Sequence, residues 1–339
     1  VLKTKNRIKE LDGLRGIAIL TVVIFHYFYR YNDLYNHIDV IYDWANYGQY
    51  GVWLFFIISG FVIYSSLDRV SNSLAFIYSR FIRLYPAYWF CVVITFTVVS
   101  FFGLDGREVT LSDMLINLSM LQMFIGVPHV DGAYWSLTVE LIFYFWIFIL
   151  LKSKSVDKIE IFLVLFLAIS FICKVYIPDV NKYFKFIVMV EYSPLFCLGV
   201  SLYLFFINQR RIINSCVSFF SVAVLIIDKS ADVQLVMLIV VSLFIAGVNG
   251  YISVLRSKVL LFFGYISYPF YLLHQNVGYV ILNMLYEINV NGYIAVVLTF
   301  LFLVFLSWIT TSYIEKPIRN RVNVIFEYLN NKKTSIVGS

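Results

Sequence analysis

The sequence predicts an all-α integral membrane protein of about ten transmembrane helices, and three observations predict it. Of its 339 residues, 61% are hydrophobic and only 14% charged, against about 25% charged in soluble domains. Apolar runs of about 18 residues or more recur along the whole length, as membrane-spanning helices require. The basic residues, 26 Lys and Arg against 20 Asp and Glu, gather in loops and tails, so the excess speaks to topology rather than to nucleic acid.

Taken in order, the predicted spans are 14–31, 47–66, 84–102, 133–151, 159–177, 187–207, 213–228, 233–250, 260–285 and 293–314. A shorter, weaker apolar piece lies at 111–125. Lys3, Lys5, Arg7 and Lys9 place the N-terminus in the cytoplasm by the positive-inside rule. The loop at 32–46 then falls outside and carries Asp33, Asp39 and Asp43 without a lysine or arginine. Arg69, Arg80 and Arg83 return to the inside.

If 111–125 does not cross, several more basic groups also land inside: Lys152, Lys154 and Lys158, then Arg210 and Arg211, then Arg256 and Lys258. So does the tail with Lys316, Arg319, Arg321, Lys332 and Lys333. If it crosses, all of them land outside. The expectation is therefore that both termini are cytoplasmic and that 111–125 is a short external or re-entrant segment.

The whole chain, 1–339, reads as a single membrane domain with cytoplasmic tails at 1–10 and 318–339. The first apolar run lacks a small-residue cleavage site after it and is read as a retained span. Cys91, Cys173, Cys197 and Cys216 fall in different apolar runs with no Cys-x-x-Cys or Cys/His pair. They read as buried small hydrophobes, with neither a metal nor a disulfide framework indicated. No internal repeat is visible, which weighs against a transporter of repeated halves.

Ionisable residues inside apolar spans need a reason, since each costs about 2.5–3.5 kcal/mol at mid-bilayer on insertion scales. His26, Glu140, Glu191 and His274 are such residues, with Arg15 and Lys174 nearer the span ends. Arg15 and His26 are eleven residues apart and share a helix face, on the order of 16 Å apart along the axis. A satisfied core histidine is one reading of His26. A general base is the other, since imidazole takes and returns a proton near neutral pH.

Ser136, Glu140 and Tyr144 recur at i, i+4, i+8 and form a polar stripe. That stripe is either an interhelical clamp or a carboxylate that orients a histidine or holds a sugar hydroxyl. His274, with Pro269 placed to kink its helix, reads first as a core hydrogen-bonding residue, and Glu191 as structural or interfacial. Arg80 and Arg83 share a face at the inner mouth of the third span, with Pro86 placed to open that helix. They serve either as membrane anchors or as a phosphate clamp. Ser59-Gly60 lets a neighbouring helix or a thin ligand approach the backbone.

These pieces in this order resemble the acyltransferase-3 family of bacterial integral membrane O-acyltransferases, in its stand-alone form without a C-terminal esterase-like domain. Leu11-Asp-Gly-Leu-Arg-Gly16 with His26 resembles the family's arginine–ten residues–histidine motif. Phe55-Phe-Ile-Ile-Ser-Gly60 resembles its Phe-Phe-x-x-Ser-Gly motif, and Arg80-Phe-Ile-Arg83 its Arg-x-x-Arg motif. Tyr134-Trp-Ser-Leu-Thr-Val-Glu140 and Tyr313-Ile-Glu-Lys-Pro317 are similar to two further segments. Leu141 stands where relatives often carry a second acidic residue, which leaves no two-carboxylate role there.

The resemblance implies a cytoplasmic acyl-coenzyme A donor, most often acetyl-CoA, with no metal. It implies a carbohydrate acceptor in or on the bacterial inner membrane, lipopolysaccharide O-antigen being the commonest setting, with membrane lipid around the bundle. Arg80, Arg83 and Arg15 would hold the donor's phosphates, and a pantetheine arm on the order of 15–20 Å would run along the Arg15–His26 face. His26 would deprotonate the acceptor hydroxyl, with Glu140 or Tyr144 orienting His26 or the acceptor and Ser59 helping to hold the oxyanion. Trp135, Ser136, Tyr144 and His274 complete the expected substrate site. The rival readings are a proton-coupled transporter or flippase of a glycan precursor, with His26, Glu140 and His274 as its relay, and a non-catalytic scaffold.

Overall fold

Among the described residues, fourteen helices, apart from short 3₁₀ turns, account for most of the chain, and the placement of their breaks positions the site. The structure, a computed structural model, describes residues 8–37, 40–70 and 72–322. Lys3, Lys5, Arg7, Asp39, Lys332 and Lys333 lie outside the described residues, as does the side chain of Arg69.

The helices are α1 (Lys9–Tyr35), α2 (Asp43–Ser65), α3 (Ser73–Phe102), α4 (Leu111–Asn117), α5 (Gln122–Ile125), α6 (Gly132–Lys152) and α7 (Ile159–Val175). They continue as α8 (Lys182–Ile187), α9 (Ser193–Phe206), α10 (Arg211–Ile226), α11 (Ala231–Val248), α12 (Lys258–Leu273), α13 (Asn276–Glu287) and α14 (Gly292–Val322). Among the described residues there is no strand. Six helices are long and apolar enough to cross a membrane: α1, α2, α3, α6, α11 and α14. The other four expected spans fall on shorter apolar helices, α7 with 17 residues, α9 with 14, α10 with 16 and α12 with 16.

Two helices differ most from the sequence expectation. The third begins at Ser73, eleven residues before the predicted start, because Asn72 caps it by accepting the Ala75 N–H (2.9 Å). Pro86 therefore lies inside a continuous helix, and Arg80 and Arg83 stand on that helix below it. The ninth span is two helices, broken at His274-Gln275 rather than kinked at Pro269, which stays within α12.

The segment 111–125 is too short to cross. Thr110 and Asp113 form a capping box that starts α4. At the other end the carbonyls of Asn117, Leu118 and Ser119 accept from the Tyr88 hydroxyl (2.7 Å), Trp89 Nε1 (2.9 Å) and the Tyr85 hydroxyl (2.9 Å). Those three donors lie roughly 20–25 Å back along α3 from its C-terminal end. The segment thus returns alongside α3, its carbonyls satisfied by aromatic side chains in place of water.

The packing centre is α1 against α12 and α2, with α9 closing the far side of α2. Close approach is set by glycine. A Cβ on Gly16 or Gly264 would strike the backbone of the facing helix, Leu260 and Asp12 respectively. Gly60 and Gly199 do the same between α2 and α9, so the small residue after Ser59 admits a helix. Three cysteines are buried, and Cys216 faces outward from α10.

Candidate active site

α1 changes its winding at His26. From His26 to Arg30 it is π-helical, the Tyr31 N–H reaching back five residues to the His26 carbonyl. Such single-turn bulges are rare and concentrate at functional sites. The His26 Nδ1 lies 2.9 Å from the Val22 carbonyl and 3.2 Å from His274 Nε2. The His274 Nδ1 lies 2.8 Å from the Tyr271 carbonyl. Carbonyls only accept, so both Nδ1 atoms carry hydrogen and His274 Nε2 is bare. His26 shares its Nδ1–H between Val22 and His274, and its Nε2 is left as the basic nitrogen.

His26 lines a cavity of about 290 Å³. Its walls are aromatic, with Trp53, Trp135, Tyr50, Tyr192 and Tyr271, and carry Gln49, Gln275, Glu191 and Lys229 as polar groups. The last two belong to a charge cluster. Lys174 contacts Glu191 (3.3 Å) and Asp228 (3.0 Å), and Lys229 contacts the same two carboxylates (3.6 and 3.0 Å).

A second cavity of about 80 Å³ lies on the Arg15 side. Arg15, Arg83, Ser59, Ser136 and Glu140 line it. Glu140 Oε1 accepts from the Ser59 hydroxyl (3.0 Å) and the Tyr144 hydroxyl (2.6 Å). Arg83 has Glu140, Tyr144 and Glu315 among its electrostatic neighbours, and Arg15 contacts Asp12 (3.0 Å). Arg80 sits behind the cavity, its guanidinium bonded to Ser66 (3.3 Å) and lying over the rings of Phe76 and Tyr144. Val52 and Tyr271 line both cavities and form the neck between them.

The expected site residues therefore divide into groups. His26 and Trp135 face the larger cavity. Arg15, Arg83, Ser59, Ser136 and Glu140 face the smaller one. His274, Arg80 and Tyr144 support them from behind. Glu140 does not orient His26, because its bonds go to Ser59 and Tyr144; the histidine's ring partners are Val22 and His274. Ser59 donates its hydroxyl proton to Glu140.

Tyr271, Gln275, Glu191 and Asp131 carry parts of the site that the sequence reading did not assign. For Asp131 a signal existed, an Asp before Gly and a helical run, which is an N-cap pattern. Among the described residues, no three His, Cys, Asp or Glu side chains converge as a metal site.

A basic imidazole nitrogen and an arginine-lined recess inside an apolar helical bundle equip a membrane protein for group transfer. The chain belongs to the acyltransferase-3 family, whose sequence profile, described as an acyltransferase domain, matches residues 8–312. It is also 31% identical over 160 residues to BcsY of Komagataeibacter xylinus, whose name describes a membrane-bound transacylase. That match covers 43% of this chain and 38% of the relative, so the chain spans well under half of the relative's length. No solved structure matches the chain significantly.

Proposed function

We propose that the protein is an O-acyltransferase of the bacterial inner membrane, and first of all an O-acetyltransferase. It would move an acyl group from cytoplasmic acyl-CoA to a sugar hydroxyl of a surface polysaccharide such as lipopolysaccharide O-antigen. One observation carries the proposal: an arginine-lined recess and a histidine-lined chamber meet at a neck of two side chains. In this reading the chain crosses the membrane ten times with both termini inside, so the Arg15 end of α1 is the donor side.

The recess is small, at about 80 Å³, equal to two or three waters at roughly 30 Å³ each. It takes only the thioester end of the donor. Arg83 and Arg15, with Arg80 behind, attract the phosphates that stay outside. The chamber beyond the neck suits a carbohydrate, with flat aromatic faces against the ring and amides and charges for hydroxyls.

His26 Nε2 takes the proton of the acceptor hydroxyl as its oxygen attacks the thioester carbonyl carbon. The carbon–sulfur bond then breaks, and the thiolate of coenzyme A recovers the proton from His26. His274 accepts from His26 Nδ1 throughout and keeps the ring in the productive tautomer.

Proton NMR of surface polysaccharide tests the reading in cells with the intact gene, a deletion and His26→Ala. O-acetyl methyl signals are expected with the intact protein alone. Identical spectra from all three would rule this acceptor class out.

A further inference from the structure

The histidine pair has no carboxylate among its ring partners, and Glu140 is committed to the other cavity. A different carboxylate is built into the same region. Asp131 precedes α6 and is completely buried. Its Oδ1 accepts the Ala133 N–H (2.8 Å) and its Oδ2 the Asn276 N–H (2.8 Å). Asn276 opens α13 and directly follows His274-Gln275. One side chain thus ties the start of α6 to the break between α12 and α13.

Other bonds run along the same seam. The Asn276 side chain donates to the Val130 carbonyl (2.9 Å), and the Tyr134 hydroxyl donates to the Leu272 carbonyl (3.1 Å). The Tyr271 hydroxyl donates to the Ala133 carbonyl (3.0 Å), and the Tyr27 hydroxyl donates to the His274 carbonyl (2.8 Å). All of these involve neutral donors and acceptors. Asp131 contributes the carboxylate, which makes the stronger bonds of the set.

We propose that Asp131 is the positioning carboxylate of this site. By capping α13 and the entry to α6 together, it fixes the break that presents His274, and through His274 it holds the His26 tautomer with Nε2 free. The inference rests on reading His26 as the base. It assigns to Asp131 the orienting role that the sequence pattern alone suggested for Glu140.

The test uses the full chain in inside-out membrane vesicles supplied with labelled acetyl-CoA, with endogenous surface polysaccharide as acceptor and His26→Ala as the blank. Alkali-labile label on polysaccharide is the product. Misplacing a catalytic group by an ångström costs about a hundredfold, so Asp131→Ala is expected to lower kcat about 100-fold. Asp131→Asn keeps one acceptor oxygen and is expected to lose about 10-fold. The KM for acetyl-CoA stays within about twofold in both, because the arginines read as holding the phosphates, Arg15 on α1 and Arg83 on α3, do not stand on this seam. Asn276→Ala, which keeps the backbone N–H bonded to Asp131, stays within about threefold of wild type.

A folded Asp131→Ala protein with wild-type kcat overturns the proposal, and so does a KM that rises in step with the loss. If the alanine variant does not fold, Asp131→Asn decides by the same split. If neither folds, Asp131 serves the fold and the proposal falls. Absence of transfer by the wild type would instead remove the acyltransferase acceptor assignment, a separate outcome.

Discussion

The two cavities are built from different kinds of residue. The small recess is lined by side chains from the interiors of continuous helices: Arg15 on α1, Ser59 on α2, Arg83 on α3, Ser136 and Glu140 on α6. The larger chamber draws on irregular places instead. His26 stands at the π-turn, Gln49 and Tyr50 on the 3₁₀ start of α2, and Gln275 at the break between α12 and α13. Glu191 and Tyr192 fall in the turns before α9, and Lys229 in the loop after α10. Helix interiors make a rigid recess of fixed charge. Helix ends and breaks make a chamber whose polar groups come from backbone irregularity, as the cavities of membrane proteins commonly do.

The largest expected effect separates the two directly. His26→Ala removes the base and leaves the recess intact, so transfer falls by about 10²–10⁴-fold while the KM for acetyl-CoA stays near wild type. Arg83→Ala does the reverse. Losing a charged hydrogen-bonding group to phosphate costs about 1.5–3 kcal/mol, roughly a 10- to 100-fold rise in that KM. Arg80→Ala has a smaller effect, since Arg80 stacks behind the recess against Phe76 and Tyr144. A variant of Arg83 that lowers kcat at constant KM would show that the division between donor and acceptor cavities is wrong. Steady-state kinetics with varied acetyl-CoA measures both parameters together.

Glu140→Gln sharpens the same comparison. A glutamine oxygen still accepts from Ser59 and Tyr144, so the packing survives, but the charge facing Arg83 is gone. The expected outcome is a several-fold change in the donor KM and an unaltered pH profile of kcat. A shifted pH profile would tie Glu140 to the base after all.

The contrast also explains what could be read from the chain. Much of the recess was legible, because helix periodicity groups Ser136 with Glu140, the Arg80–Arg83 spacing marks the mouth of the third span, and Arg15 stands out as a charge at the start of the first apolar run. Basic side chains in loops likewise set 111–125 apart from the longer apolar runs. The chamber was legible only at His26 and Trp135. Its shape depends on where helices stop, and Pro269 pointed to a kink inside α12 while the break came at His274-Gln275, held by Asp131 from a distant loop. Pro86 misled for a local reason, since the Asn72 cap on the Ala75 N–H had already started the helix. Local propensity marks where a helix is weak; a tertiary hydrogen bond decides where it ends.

The smallest expected effect concerns the neck. Tyr271 lines both cavities, and its hydroxyl lies 2.7 Å from Ser136 and 3.0 Å from the Ala133 carbonyl, so two bonds hold the ring across the opening. Tyr271→Phe loses those bonds and keeps the ring, and its transfer rate should drop only a few-fold. Tyr271→Ala removes the ring as well and widens the neck between the recess and the chamber. Water then has a path to the thioester, and an activated carbonyl beside a basic imidazole hydrolyses. The expected signature is acceptor-independent release of coenzyme A, several times the wild-type background, at the expense of sugar acylation. A thiol-reactive dye added to vesicles without acceptor reads that release directly. If the alanine variant stays as tightly coupled as the wild type, Tyr271 is not what keeps water out of the neck. Val52 on the opposite wall is then the residue to change next.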